Sequence, residues 1–236
     1  MLETLKQQVL EANLELVRKR LVILTWGNVS GLSREKGLVV IKPSGVPYEQ
    51  LRAENMVVVD LEGRLVEGRL RPSSDTPTHL QLYRHFDCIG GVVHTHSPFA
   101  TIFAQAHRSI PCFGTTHADH FAGPVPLTRQ LTREEVAGDY EGNTGKVIVE
   151  AMAKQNPAEV PGILVAGHGP FAWGSSPQKA VENAFILESI AFMAYHTLLL
   201  NPEQESLVEY IRKKHYERKH GKNAYYGQSR KENKDA

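Results

Sequence analysis

Two cysteines in 236 residues, Cys88 and Cys112, are too few for a disulfide framework. Neither has a metal-type partner nearby in sequence, so both are expected to be reduced and structural. Charge of one sign is also lacking. With 27 basic and 26 acidic side chains, no overall field draws the chain to nucleic acid or to an anionic membrane, and any anion it binds is captured locally. The first six residues carry charges and lack the apolar stretch and small-residue cleavage site of an export signal, so a cytoplasmic location is expected. The longest apolar region, 185–200, is interrupted by Glu188, Ser189 and His196 and reads as a core helix, short of a clean membrane span. No internal repeat or Pro/Gly-rich linker divides the chain. One domain over 1–228 is expected, followed by a polar, disordered tail at 229–236.

What is present is a set of short elements. Leu2, Leu5, Val9, Ala12, Leu16 and Val17 recur at helical spacing and predict an amphipathic helix over the first twenty or so residues. The β-branched runs 37–42 and 56–61 predict strands, and Glu62-Gly63 turns the second back through 64–66. Asp75-Thr76-Pro77 opens a predicted helix to Phe86, and a strand over 89–94 follows. Further helices are predicted over 97–106, 145–154, 176–201 and 202–219, with an apolar strand at 162–166. Strands and helices alternate unevenly, with hairpins as well as crossovers. That points to an α/β domain with a mixed sheet covered by helices, and away from a parallel barrel.

His94-Thr95-His96 closes an apolar strand, where residues two apart share a face, so both imidazoles converge. His168 sits past another apolar strand, between two glycines that let the backbone approach a neighbouring element. Three neutral imidazoles with one open position make a Lewis acid; each taken singly is also consistent with a strand-end histidine bonded to a backbone carbonyl. Asp75 suits a fourth ligand, a base beside the metal, or the cap of its helix. Lys42-Pro43-Ser44-Gly45 offers an ammonium, a hydroxyl and a flexible backbone to an anion, and Ser73 and Ser74 add donors at a helix start. Pro-Ser-Gly is equally an ordinary turn.

Eight blocks in order carry a resemblance. They are Trp26-Gly27-Asn28-Val29-Ser30, Lys42-Pro43-Ser44-Gly45, Ser73-Ser74-Asp75-Thr76-Pro77-Thr78-His79, His94-Thr95-His96-Ser97, Gly114-Thr115-Thr116-His117-Ala118-Asp119, Glu141-Gly142-Asn143-Thr144-Gly145, Gly167-His168-Gly169-Pro170 and Ala224-Tyr225-Tyr226-Gly227-Gln228. Together they resemble the class II aldolase and adducin-head family, and within it the pentulose-phosphate epimerases.

The resemblance implies a single α/β domain with a central, largely antiparallel sheet, assembled as a ring-shaped homotetramer with active sites at subunit interfaces. It implies one divalent ion per subunit, with zinc the expected ion, on His94, His96 and His168 with Asp75 nearby, and a phosphorylated pentulose as substrate. Asn28 is implied to bond an enediolate, Ser44, Gly45, Ser73 and Ser74 to take the phosphate with Lys42 beside them, and Thr115 and Glu141 to complete the substrate set. Asp119 and Tyr226 are implied as the two proton-transfer groups; their bland alternatives are orienting an imidazole and packing the tail. His215 and Arg218, one helical turn apart, either face the site with Tyr226 or form a solvated helix face. Aldolases of the family typically carry Glu where this chain has Asp75, which favours epimerase over aldolase. A non-catalytic adducin-like head would lack the three histidines.

Overall fold

The apolar spacing at the N-terminus winds α1, Glu3–Arg18, which buries Val9, Leu10, Ala12 and Leu16 along one stripe. This computed structural model describes residues 2–226, so the tail expected at 229–236 and the boundary expected at 228 lie outside the described residues. After α1 come β1 (Gly27–Ser33), β2 (Leu38–Ile41), two 3-10 turns at Tyr48–Gln50 and Ala53–Asn55, β3 (Val57–Asp60) and β4 (Leu65–Glu67). Then follow α2 (Thr76–His85), β5 (Gly91–Thr95), α3 (Pro98–Gln105), α4 (Thr115–Ala118), α5 (Arg133–Ala137) and α6 (Tyr140–Met152). The chain continues through β6 (Gly162–Val165), β7 (Gly169–Gly174), α7 (Pro177–Leu200) and α8 (Glu209–His220).

The strands form one sheet in the order β4-β3-β2-β1-β5-β7-β6. Every pairing between these strands is antiparallel, and the parallel element is the isolated bridge between Leu127 and Leu164. The expected central, largely antiparallel sheet is what forms. Side chains alternate across it. Leu32, Val39, Ile41, Val57, Val59 and Val92 face a core shared with α2, α3, α6 and the second half of α7. Val29, Val93 and Ala172 face α1 and the first half of α7, and Val40 and Val58 meet α1 in an adjoining cluster.

Several boundaries differ from the pattern-based expectation. The most central strand, β1, carries no pattern that predicts it: Gly27–Ser33 is glycine- and serine-rich, yet six of its seven residues are buried. β7 escapes for the same reason, since a strand covered on both faces shows no alternation. Helix α6 begins at Tyr140, five residues before the predicted start, because the Asp139 side chain accepts from the amide of Gly142 and caps it. Helix α8 begins at Glu209, seven residues later than predicted, after a turn at 202–203 and an extended stretch. Cys112 is buried as expected, whereas Cys88 is exposed in a turn and packs no core. Both are free thiols.

Helix α7 is long and apolar enough to cross a membrane by length and composition, but here Ala180, Val181, Ala184, Leu187, Ile190 and Ala191 are buried inside the domain. Its polar interruption, Glu188, has a specific job. The carboxylate accepts the amides of Phe99 and Ala100 at 2.9 Å each and so caps the start of α3, immediately after His96.

Candidate metal centre and the surrounding pocket

The register of β1 on β5 pairs Asn28 with His94. His94 and Thr95 close β5 and His96 lies one residue beyond, so both imidazoles leave the same end of the sheet. The third arrives on the neighbouring hairpin. Gly167, at φ +72°, occupies the left-handed region that a tight turn between β6 and β7 requires, and His168 sits at its tip. A Cβ on Gly169 would stand 2.9 Å from the carbonyl of Thr95, so only glycine lets the two backbones approach this closely.

The ring nitrogens converge. His96 Nε2 lies 3.1 Å from His94 Nε2 and 3.2 Å from His168 Nε2. Three nitrogens bound at zinc distances to one tetrahedral ion stand about 3.3 Å apart, so the spacing fits such a cation. The donor set fits too. His94 Nδ1 donates to the carbonyl of Pro170 at 3.0 Å, which leaves Nε2 as a lone pair facing the other two rings. His94 also stacks on buried Phe171, with centroids 4.2 Å apart and planes at 15°. Burial, then the charges of His94 and His96, push His168 down to about 4, and burial with the His94 charge lowers His96. Imidazole nitrogens clustered in this way are an arrangement for binding a divalent cation.

Asp75 stands at the start of α2 but its side chain makes no capping bond. It accepts from Asn28 Nδ2 at 2.6 Å, so the cap reading gives way to a place beside the three rings. Burial works to raise this carboxyl, but the charges of His94, His79 and His168 and the Asn28 bond outweigh it and hold it low. Because burial pushes His79 down to about 3 and leaves His168 uncharged near neutrality, the Asn28 bond is the steadier of these supports at pH 7. Asn28 donates its other amide hydrogen to Ser73 Oγ at 3.0 Å. Both N–H bonds of the residue expected to meet an enediolate are therefore committed within the protein.

The two loops expected to take an anion run side by side. Ser73 N donates to the carbonyl of Lys42, Ser44 N donates to that of Arg71, and Pro43 bridges Pro72. Together they line a cleft of about 440 Å³ whose wall includes Asn28, Lys42, Ser44, Gly45, Ser73, Ser74, Asp75, Glu141 and the three histidines. Thr25, Trp26 and Tyr140 line it as well. The Tyr140 hydroxyl lies 3.4 Å from His168 Nδ1, and nothing in its sequence context marks it.

Lys42 is nearly fully buried, and burial alone lowers it to about 8. Its ammonium lies over the Tyr48 ring at 5.0 Å and has a long contact to the carbonyl of Pro43 at 3.4 Å, with no carboxylate partner among the described residues. The sign follows. Between about pH 8 and 10.5 the unfolded chain holds a proton here that the folded chain does not, so this residue's contribution to stability rises with pH through that window. Lys42→Met is expected to raise the melting temperature at pH 7, with the gain shrinking toward about pH 10. A dianionic ligand needs the charged form, so affinity for inorganic phosphate or a sugar phosphate is expected to fall above about pH 8 in the wild type and to lose that slope in Lys42→Met. Melting curves at both ends of the range check the first, and titration calorimetry over roughly pH 7–9.5 checks the second.

The remaining expected residues assemble elsewhere. Thr115, Asp119, His215, Arg218 and Tyr226 are absent from the wall of the metal cleft. Instead α8 lies against α4 and encloses Asp119: Arg218 donates from Nε to Oδ1 at 2.9 Å and from Nη2 to Oδ2 at 2.5 Å, and His215 Nδ1 reaches Oδ1 at 3.1 Å. The Tyr226 ring lies 4.9 Å from the Arg218 guanidinium carbon and 4.5 Å from Lys219 Nζ. His215 and Arg218 are thus neither a solvated helix face nor part of the metal cleft in the same chain. They form a second polar cluster with Asp119 and Tyr226.

The Class II Aldolase and Adducin N-terminal domain profile matches residues 7–195. An L-fuculose 1-phosphate aldolase superposes with a TM-score of 0.78 at 25% identity, over 91% of this chain and 95% of its own. YgbL of Klebsiella pneumoniae, a candidate aldolase/epimerase/decarboxylase, superposes with a TM-score of 0.71 at 26% identity, over 91% and 99%. An L-fuculose-1-phosphate aldolase from Thermus thermophilus, at 23% identity and a TM-score of 0.63 over 86% and 98%, shares the fold.

Proposed function

This chain belongs to the class II aldolase and adducin N-terminal domain family, and from that premise we propose that it epimerises L-ribulose 5-phosphate and D-xylulose 5-phosphate at C4. A C4 proton two bonds from the C2 carbonyl is not acidic, so inversion goes through the carbon skeleton. A base takes the proton of the C4 hydroxyl, the O–H pair becomes the C4 carbonyl, and the C3–C4 pair moves to form the enediolate of dihydroxyacetone. Glycolaldehyde phosphate is the other fragment. It turns over, C3 re-adds to its opposite face, and an acid there protonates the new C4 oxygen.

A divalent ion, zinc in this reading, held by His94, His96 and His168, supplies Lewis acidity and electrostatic stabilisation of developing negative charge. The chain's own groups do the rest. Lys42, Ser44, Gly45, Ser73 and Ser74 hold the phosphate, Glu141 contacts the sugar from the same cleft, and Thr115, on α4 outside that cleft, reaches the sugar from the neighbouring copy. Asn28 fixes Asp75. An aldolase has to protonate the enediolate carbon to release its fragments, whereas an epimerase has to keep that carbon unprotonated until re-addition. Asp75, which accepts from Asn28 at 2.6 Å and whose carboxyl is held low, is a poor donor of that proton. This is the observation that carries the epimerase reading over the aldolase one.

The proton-transfer set is the Asp119 cluster with Tyr226, contributed by a neighbouring copy in a homotetramer, since these groups do not line the metal cleft of their own chain. The test is direct: zinc-loaded protein is incubated with L-ribulose 5-phosphate and the products are separated. D-xylulose 5-phosphate without free glycolaldehyde phosphate is expected. The likeness to an L-fuculose 1-phosphate aldolase favours a second reading, aldol cleavage, and accumulation of the free aldehyde would decide for it.

A further inference from the structure

Both oxygens of Asp119 are occupied. Oδ1 takes His215 Nδ1 and Arg218 Nε, and Oδ2 takes Arg218 Nη2 with Lys219 Nζ 3.8 Å away. A carboxylate chelated by a guanidinium fork is a poor place to receive a proton from substrate, because protonation forfeits charge-assisted bonds. Burial works to raise this carboxyl, but the Arg218 and His215 bonds and the Lys219 charge overcome it and hold it below its ordinary range.

The imidazole it grips is differently placed. An ionised carboxylate accepts only, so the 3.1 Å contact puts a hydrogen on His215 Nδ1 and leaves Nε2 with its lone pair. Nε2 has no partner among the described residues, and 22% of the side chain is exposed. Residues 215, 218 and 219 share one face of α8, which sets imidazole, guanidinium and ammonium around one carboxylate. The α8 face is itself anchored: Arg212 donates to the carbonyl of Ala122, His220 Nε2 to that of Asp119 at 2.9 Å, and Lys219 Nζ lies 3.3 Å from His120 Nε2. These, with Tyr226 over Arg218 and Lys219, are the charged and titratable groups that face the pair.

We propose that Asp119 and His215 form a carboxylate–imidazole dyad in which His215 Nε2 is the proton carrier at the C4 oxygen and Asp119 is its positioning residue. The inference rests on the retro-aldol reading above and changes which atom handles the proton. In the cleavage direction Nε2 takes the C4 hydroxyl proton, giving an imidazolium whose Nδ1–H still points to Asp119. On re-addition to the opposite face the Tyr226 hydroxyl gives its proton to the new C4 alkoxide, and the imidazolium then returns its proton through solvent to the tyrosinate, so both groups are reset with no net proton gained or lost. Arg218 keeps the carboxylate ionised throughout, so the dyad passes one proton and no second one to Asp119.

The experiment combines rescue with a substrate-free readout. His215→Ala is expected to lower kcat by roughly 100-fold or more with KM changed less than about threefold, and added imidazole to restore about tenfold or more in a concentration-dependent way. His215→Gln, which keeps a bond to Asp119, guards against loss of folding and is expected to be as slow. Asp119→Asn is expected to lose kcat without rescue by imidazole. A His215→Ala protein within about fivefold of wild type, or one indifferent to imidazole, overturns the proposal. Nitrogen-15 spectra of histidine-labelled protein decide the geometry without any substrate: His215 is expected as the Nδ1–H tautomer in the wild type and as a mixture in Asp119→Asn. An Nε2–H tautomer in the wild type overturns the dyad. If no ketose phosphate turns over, the functional reading fails by itself while the tautomer still decides for or against the dyad; if cleavage replaces epimerisation, the same C4 proton is followed in the cleavage assay.

Discussion

His96→Ala is expected to abolish turnover of the sugar phosphate and to strip the bound divalent ion in the same step. His96 is the ring common to both short nitrogen contacts, 3.1 Å to His94 and 3.2 Å to His168, so its loss leaves two donors with no shared apex. Changes outside the ligand set typically cost about 10–100-fold in metal affinity, so loss of a ligand is expected to cost roughly 100-fold or more. Losing several kcal/mol of charge stabilisation lowers the rate by roughly a thousandfold or more. Metal content after dialysis, read beside activity, checks the two together. An ordinary metal content with ordinary turnover would remove the metal centre from the reading. The fold is expected to survive, because His96 is only part-buried and lies beyond the end of β5.

The second large effect tests whether the two polar clusters meet across a subunit boundary. Tyr226→Phe and His96→Ala, each nearly inactive alone, are expected to recover activity when dissociated and reassembled together. In a ring, a site works when its metal-holding chain carries the tyrosine change and its neighbour carries the histidine change. Random mixing therefore restores roughly a quarter of the sites. Recovery of no activity in assemblies shown by mass to be mixed would falsify the shared site and return Tyr226 to its own chain.

The histidine cluster is legible in the sequence because its cause is local: period two in a strand puts His94 and His96 on one side, and flanking glycines mark the turn that presents His168. The two loops proposed for the phosphate are legible for a similar reason, a lysine and small polar residues placed at a strand exit and a helix start, and they come together on one cleft. What pattern reading misses is the middle of the sheet. β1 and β7 are covered on both faces, so no polar alternation marks them, and β1 carries polar residues whose partners are remote in sequence. Ser30 Oγ, for example, lies 2.7 Å from His79 Nδ1 and 2.8 Å from the Tyr83 hydroxyl, both on α2. Spacing within β1 contains none of that. Likewise the enclosure of Asp119 by α8 joins residues almost a hundred positions apart, and a basic helix read by itself looks solvated.

The pairing of Asn28 with His94 makes the chemistry depend on parity. A strand that gains or loses one residue can slide along its neighbours and keep its ladder, but each side chain then changes sides. In β1 such a shift would bring Val29 to the metal face and send Asn28 toward α1, leaving Asp75 without its donor. Single-residue insertions and deletions in this segment therefore form a class distinct from substitutions. They are tolerable to the sheet and ruinous to the site, whereas the same length change in the exposed turn at 34–37 between β1 and β2 leaves the parity of Asn28 untouched.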